Sequence, residues 1–127
     1  MRTIALDRIL DLKILSTSFE LPEDFDARKY FANVVGIYVN IDLPVTDVKI
    51  RTYGIQTEYL RSTPLHKSQS EGRSKYREFA EFTYRLCVTP ELVCQLLAMG
   101  DRIEVLEPQT LRAKMKERIS NMFDFYK

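Results

Sequence analysis

A chain of 127 residues with 19 basic and 18 acidic side chains has a formal net charge of +1, too balanced for a global field to recruit nucleic acid or an anionic membrane. Its length suits one full core with an appended piece, and 45% hydrophobic against 29% charged residues is ordinary for a globular domain. No apolar run approaches the ~20 residues that span a bilayer, and no signal pattern opens the chain.

The first fifteen residues alternate. Ile4, Leu6, Leu10, Leu12 and Ile14 share one parity, which predicts a strand, and Arg8 shares it too. A guanidinium pointed among apolar groups must be paired or contact an anion, unless a bulge turns it outward. In FELPEDFDARKYFANVVGIYV, Asp26 is a good N-cap and Gly36 a natural stop, while Phe25 and Tyr30 occupy the positions of a hydrophobic staple. One short helix is expected there, with Phe31, Val34 and Val35 facing a core.

From Val45 a second unit begins. Val48 and Ile50 alternate with Asp47, Lys49 and Arg51 as a half-buried strand, and Ile55 to Ser62 reads as a helix with Ile55 and Tyr59 inward. Thr63-Pro64 ends that helix, because the residue before proline is pushed out of the helical region. LHKSQSEGRSKYREF then reads as a polar edge strand and a loose hairpin turning at SEGRS.

Phe82 to Leu106 is strand, helix, strand. Phe82, Tyr84, Leu86 and Val88 line one face of the first strand; Thr89 caps the helix, Pro90 starts it and Gly100 ends it. Leu92, Val93, Leu96 and Leu97 give the helix a buried face, and Ile103 and Val105 point inward from the strand that follows. Pro108 starts a final helix whose stripe Leu111, Met115, Ile119, Met122 and Tyr126 suits core packing or a dimer seam. Residues 45–107 therefore read β-α-β-β-α-β, and the fold class is α+β: a ferredoxin-like sandwich with an N-terminal strand-helix appendage and a C-terminal helix.

The two cysteines, Cys87 and Cys94, match no metal motif, and one histidine among four glycines offers neither a metal constellation nor a phosphate loop. No cofactor is expected, and reduced thiols point to a cytoplasmic setting. His66 and Ser68 lie two residues apart on one side of an extended segment, so their side chains meet, yet nothing supplies an oxyanion hole or an acid. Near the hairpin, Tyr76, Phe79, Phe82 and Tyr84 invite comparison with RNA-recognition modules. KYREFAEFTY lacks the Gly-aromatic-Gly core of that site, and Phe82 and Tyr84 share the parity that faces the helices. A weaker, salt-sensitive nucleic-acid contact is assigned to Arg61, Lys67, Arg73, Lys75 and Arg77, with His66 beside them.

RTIALDRI, Arg2 to Ile9, resembles the end of the WYL domain, whose last strand runs Arg-x-Phe-x-Leu-Asp-Arg-Ile. Phe19, FDARKYFANVVGI, PLHKSQ and LLAMGDRIEVLEPQTLR are similar to the C-terminal extension that follows WYL domains in bacterial transcriptional regulators. The resemblance covers nearly the whole chain. It implies residues 1–44 as the last strand of a WYL sensor domain with its connecting helix, and 45–127 as a ferredoxin-like extension with a closing helix. In that family a winged helix-turn-helix binds DNA, an Sm-like WYL barrel senses a ligand often nucleotide or nucleic acid in character, and the extension contributes to dimerisation and regulation.

With no Trp, the Trp-Tyr-Leu signature is absent, and so is a helix-turn-helix. The resemblance implies that Arg2 and Arg8 flank the last barrel strand, where the family's ligand pocket draws positive charge. Arg2, Arg8, His66, Ser68 and Gln69 are the ligand-binding candidates. The expected function is non-enzymatic: a regulatory and dimerisation module of a transcriptional regulator, a homodimer whose orphan N-terminal strand covers a sheet edge. DNA is contacted only through a domain absent from this chain. The alternatives are an acylphosphatase-like hydrolase, which needs an arginine and an asparagine at a phosphate loop, and a free-standing nucleic-acid-binding domain.

Overall fold

Two long strands form the spine of the molecule: β1 (Val45–Tyr53) and β3 (Phe79–Cys87) pair antiparallel throughout, Val45 opposite Cys87 and Tyr53 opposite Phe79. The structure, a computed structural model, describes residues 4–73 and 78–127. A two-residue strand β2 (Ser70–Glu71) lies on the outer edge of β3, and β4 (Ile103–Glu107) lies on the other side of β1, giving the order β2-β3-β1-β4. Both β3 and β4 run antiparallel to β1. They are therefore parallel to each other with β1 between them, the split β-α-β arrangement of a ferredoxin-like sandwich.

Alternation decides which side chains of the spine face inward. Val48, Ile50 and Thr52 on β1 and Ala80, Phe82, Tyr84 and Leu86 on β3 are buried, while the intervening positions are half-buried or exposed. Helices α2 (Ile55–Ser62) and α3 (Pro90–Ala98) supply Leu60, Leu92, Val93 and Leu96 to this core, and β4 supplies Val105. α3 starts as its residues dictate: the Thr89 hydroxyl accepts the Leu92 N–H at 3.2 Å, and Pro90 occupies the first turn. Gly100, at φ +64°, reverses the chain toward β4.

On α2 the buried face differs from the expected one. Ile55 and Tyr59 are exposed, and Gln56, Thr57 and Leu60 are buried instead. Thr57 is satisfied internally: it shares a hydroxyl hydrogen bond of 2.9 Å with Thr52 of β1, so the helix seats a threonine against the sheet where hydropathy favours isoleucine. The stripe of α4 (Gln109–Asp124) divides in two. Leu111 and Met115 complete the core, while Ile119, Met122 and Tyr126 stay exposed.

The N-terminal segment forms no strand among its described residues. From Ile4 to Leu15 the chain is exposed apart from partly covered Ala5, with one 3₁₀ turn at Leu6–Arg8, and it lies outside the four-stranded sheet. A strand needs a ladder partner, and the described residues of this segment pair with none. Further along, Asp26 caps the single-turn helix α1 (Ala27–Tyr30) through the Arg28 N–H at 2.9 Å. The rings of Phe25 and Tyr30 meet at 5.5 Å, the expected staple. Val34 is buried beyond it, with Phe31 and Val35 half-buried. Among the described residues no helix is long and apolar enough to cross a membrane.

Candidate functional site

The candidate ligand residues separate into two places. Arg2 lies outside the described residues, and Arg8 ends the exposed N-terminal turn, with no side-chain hydrogen bond or ion pair to the sandwich. His66, Ser68 and Gln69 gather at the outer edge of β3, beyond the end of the short β2. There they act on the protein itself. Ser68 Oγ accepts from Arg85 N at 2.9 Å, as the carbonyl of a neighbouring strand residue would. Gln69 Nε2 donates to Leu60 O at 2.6 Å, while its Oε1 accepts from Leu65 N at 3.1 Å and from the Tyr84 hydroxyl at 2.9 Å. One amide thus ties the end of α2, the following loop and the core of β3 together. Burial of Tyr84 pushes its phenol pKa well above the usual range.

His66 is buried. Its Nδ1 accepts from Ser68 N at 3.1 Å, which places the ring hydrogen on Nε2, and Nε2 therefore donates to Ala32 O at 2.9 Å. Ser68 Oγ sits 2.7 Å from Nδ1. A hydroxyl turned toward an imidazole is the first half of a nucleophilic pair, but here the ring's second nitrogen is bound to a backbone carbonyl and no acid orients it. Asn33 and Asn40 belong to the connector before β1, away from the turn at Gly54 that joins β1 to α2.

Of the basic residues assigned to a nucleic-acid contact, Arg61 is paired with carboxylates. Arg61 forms ion pairs with both Glu58 and Glu71, and that pairing raises its pKa while the Arg61 hydrogen bond holds the Glu71 carboxyl below its usual range. Lys67 and Arg73 are exposed; Lys75 and Arg77, with Tyr76, lie outside the described residues.

Two further surfaces stand out: the first was not singled out from sequence, and the second includes part of the α4 stripe expected to be core or a dimer seam. The open face of the sheet carries Lys49, Arg51 and Tyr53 from β1 beside Phe79 and Glu81 from β3. Arg51 lies over the Phe79 ring at 4.3 Å, and Glu81 receives both Lys49 Nζ and Arg51 Nη2 at 2.7 Å. These hydrogen bonds, Lys49's first, hold the Glu81 carboxyl below the usual carboxylate range. The signal was the shared parity of these residues, but strand register was needed to bring them together. The second surface is a groove of about 750 Å³ along β4 and α4, lined by Leu97, Ile103, Met115, Ile119 and Met122. Arg112 bridges its rim, donating to Glu104 at 2.7 Å and to Val105 O at 2.6 Å.

A sequence model of the WCX domain matches residues 44–123, the whole sandwich and nearly all of α4. The chain belongs to the WCX domain family. A search of curated proteins finds no match to it. WCX domains occur in regulators that also contain WYL domains. Within the WCX domain described here, the PLHKSQ segment stitches α2 to β3, Lys49 and Arg51 pair with Glu81 on the open sheet face, and an apolar groove runs beside α4.

Proposed function

We propose that this chain is the regulatory and dimerisation module of a WYL-type transcriptional regulator, cytoplasmic and without catalytic activity of its own. The WCX match across 44–123 is the observation that carries this reading, and the resemblance of Arg2 to Ile9 to the closing strand of a WYL barrel agrees with it. In this reading the effector, nucleotide or nucleic acid in character, is sensed by the WYL domain, DNA is bound by a separate domain, and the WCX domain joins protomers and relays the state of the sensor.

The chemistry of the surface supports a non-enzymatic role. On the open sheet face Lys49 and Arg51 are both paired with Glu81, which reduces the field that these two cations offer to phosphates. The apolar side chains Ile119 and Met122 are left at the groove beside β4, where a second copy would cover them. Sedimentation velocity of the chain across a wide concentration range tests the dimer: a concentration-dependent dimer is expected, shifting to monomer with Ile119→Glu and Met122→Glu together. A monomer at every concentration overturns the dimerisation role.

A further inference from the structure

Residues 31–43 lie just ahead of the residues matched to the WCX domain, yet they are fastened to it at successive points. His66 Nε2 holds Ala32 O at 2.9 Å. One residue later, Asn33 O accepts from Cys87 N at 2.7 Å, extending the pairing of β3 past the point where β2 has ended. Val34 is buried beneath this crossing. Then the chain turns at Gly36, at φ +85°, and both following amides, Ile37 and Tyr38, donate to a single oxygen of Glu91 at 2.8 and 2.7 Å. Glu91 stands in the first turn of α3, where a carboxylate is also favoured by the helix dipole. Two amides on one carboxylate oxygen are charge-assisted bonds, stronger than those between neutral groups.

Glycine is required at this turn twice over. The positive φ disfavours any residue with a Cβ, and a Cβ built at Gly36 would collide with the Glu91 carboxylate and push it from its place. The anchors come from three different parts of the domain: the loop after α2, the end of β3 and the start of α3. All of them grip main-chain atoms of the connector. By contrast, every hydrogen bond and ion pair of described residues 4–24 is made within that segment or to Phe25.

We propose that residues 31–43 are a strap, with Glu91 as its clasp, that makes the connector one rigid body with the WCX domain. Motion arriving from the N-terminal side is then delivered to β3 and α3 and is not absorbed by a slack loop, and the pivot lies before Asp26. This rests on the regulatory reading, in which a signal crosses the connector. Glu91 is a positioning residue in this device: it acts through the strap.

Amide hydrogen exchange on the full chain tests it. Glu91→Ala is expected to speed exchange at Ile37 and Tyr38 at least tenfold. Because the strap moves as a unit, the same variant also speeds exchange at Cys87, whose amide is held by Asn33 at a different anchor, while Phe82 and Tyr84 in the middle of β3 keep their protection. Gly36→Ala, which displaces the carboxylate without removing it, gives the same pattern. Faster exchange confined to Ile37 and Tyr38, with Cys87 unchanged in both variants, overturns the strap. If Glu91→Ala loosens the core amides too, Gly36→Ala, which leaves every residue of α3 in place, decides by the same comparison of Cys87 with Phe82. A WCX domain with no part in regulation would still show this exchange pattern, so the strap and the regulatory role fail separately.

Discussion

Ile4, Leu6, Leu10, Leu12 and Ile14 alternate along the N-terminal segment much as Ala80, Phe82, Tyr84 and Leu86 alternate along β3, and the two stretches have opposite environments. Leu10 and Ile14 are as exposed as side chains in an extended peptide, whereas Phe82 retains 1% of its surface and Leu86 none. The difference lies outside both stretches. β3 has β1 beside it for its whole length and two helices over its inner face; the N-terminal segment has neither. Burying a large apolar side chain contributes about 1.5–3 kcal/mol, enough to offset the ~1–2 kcal/mol of backbone entropy lost on ordering a residue. An alternating pattern states which side chains would share a face. A partner strand and a lid decide whether that face exists.

The contrast can be broken at its strong end by Phe82→Ala, which opens a cavity between β3 and the helices and is expected to lower stability by about 3–5 kcal/mol, read as a lower urea midpoint. A loss below about 1 kcal/mol would mean that the core closes over the gap. Next in size is the acid response of the open sheet face. Lys49 and Arg51 hold the Glu81 carboxyl below its unfolded value, so the stability it supplies is fully present at neutral pH and is lost as the pH falls through the depressed folded value. Glu81→Gln is expected to flatten the acid limb of a stability–pH profile and to leave the fold intact; an unchanged limb would show the three charges to be uncoupled. The smallest effect is expected from Leu10→Ser, within about 0.5 kcal/mol. A larger fall in the urea midpoint would show that the N-terminal segment contributes to the fold of this chain.

Local signals made much of the sandwich legible. The Thr89-Pro90 start and Gly100 stop of α3, the Asp26 cap and the parity of β1 and β3 are written within a few residues of where they act. What escaped depends on partners distant in sequence. The inward face of α2 was misread because Thr57 is buried by its bond to Thr52, and a satisfied hydroxyl leaves no mark in a hydropathy pattern. The connection of His66 to Ala32 and of Glu91 to Ile37 and Tyr38 was hidden for a related reason: the connector contributes only backbone, which every sequence has. Gly36 was the visible trace, read as a helix stop when its structural demand comes from a carboxylate on α3. His66, Ser68 and Gln69 stood out as a polar cluster, and the cluster is real, but its chemistry is directed at the edge of β3 and the end of α2.

The buried phenol of Tyr84 gives the molecule an optical identity. With no tryptophan and seven tyrosines, ultraviolet absorbance is a tyrosine signal, and ionisation of a phenol changes that signal strongly. Burial of Tyr84, whose hydroxyl is bonded to Gln69, raises its phenol pKa above the usual range. Its late ionisation is a built-in spectroscopic reporter for the joint between β3 and the end of α2.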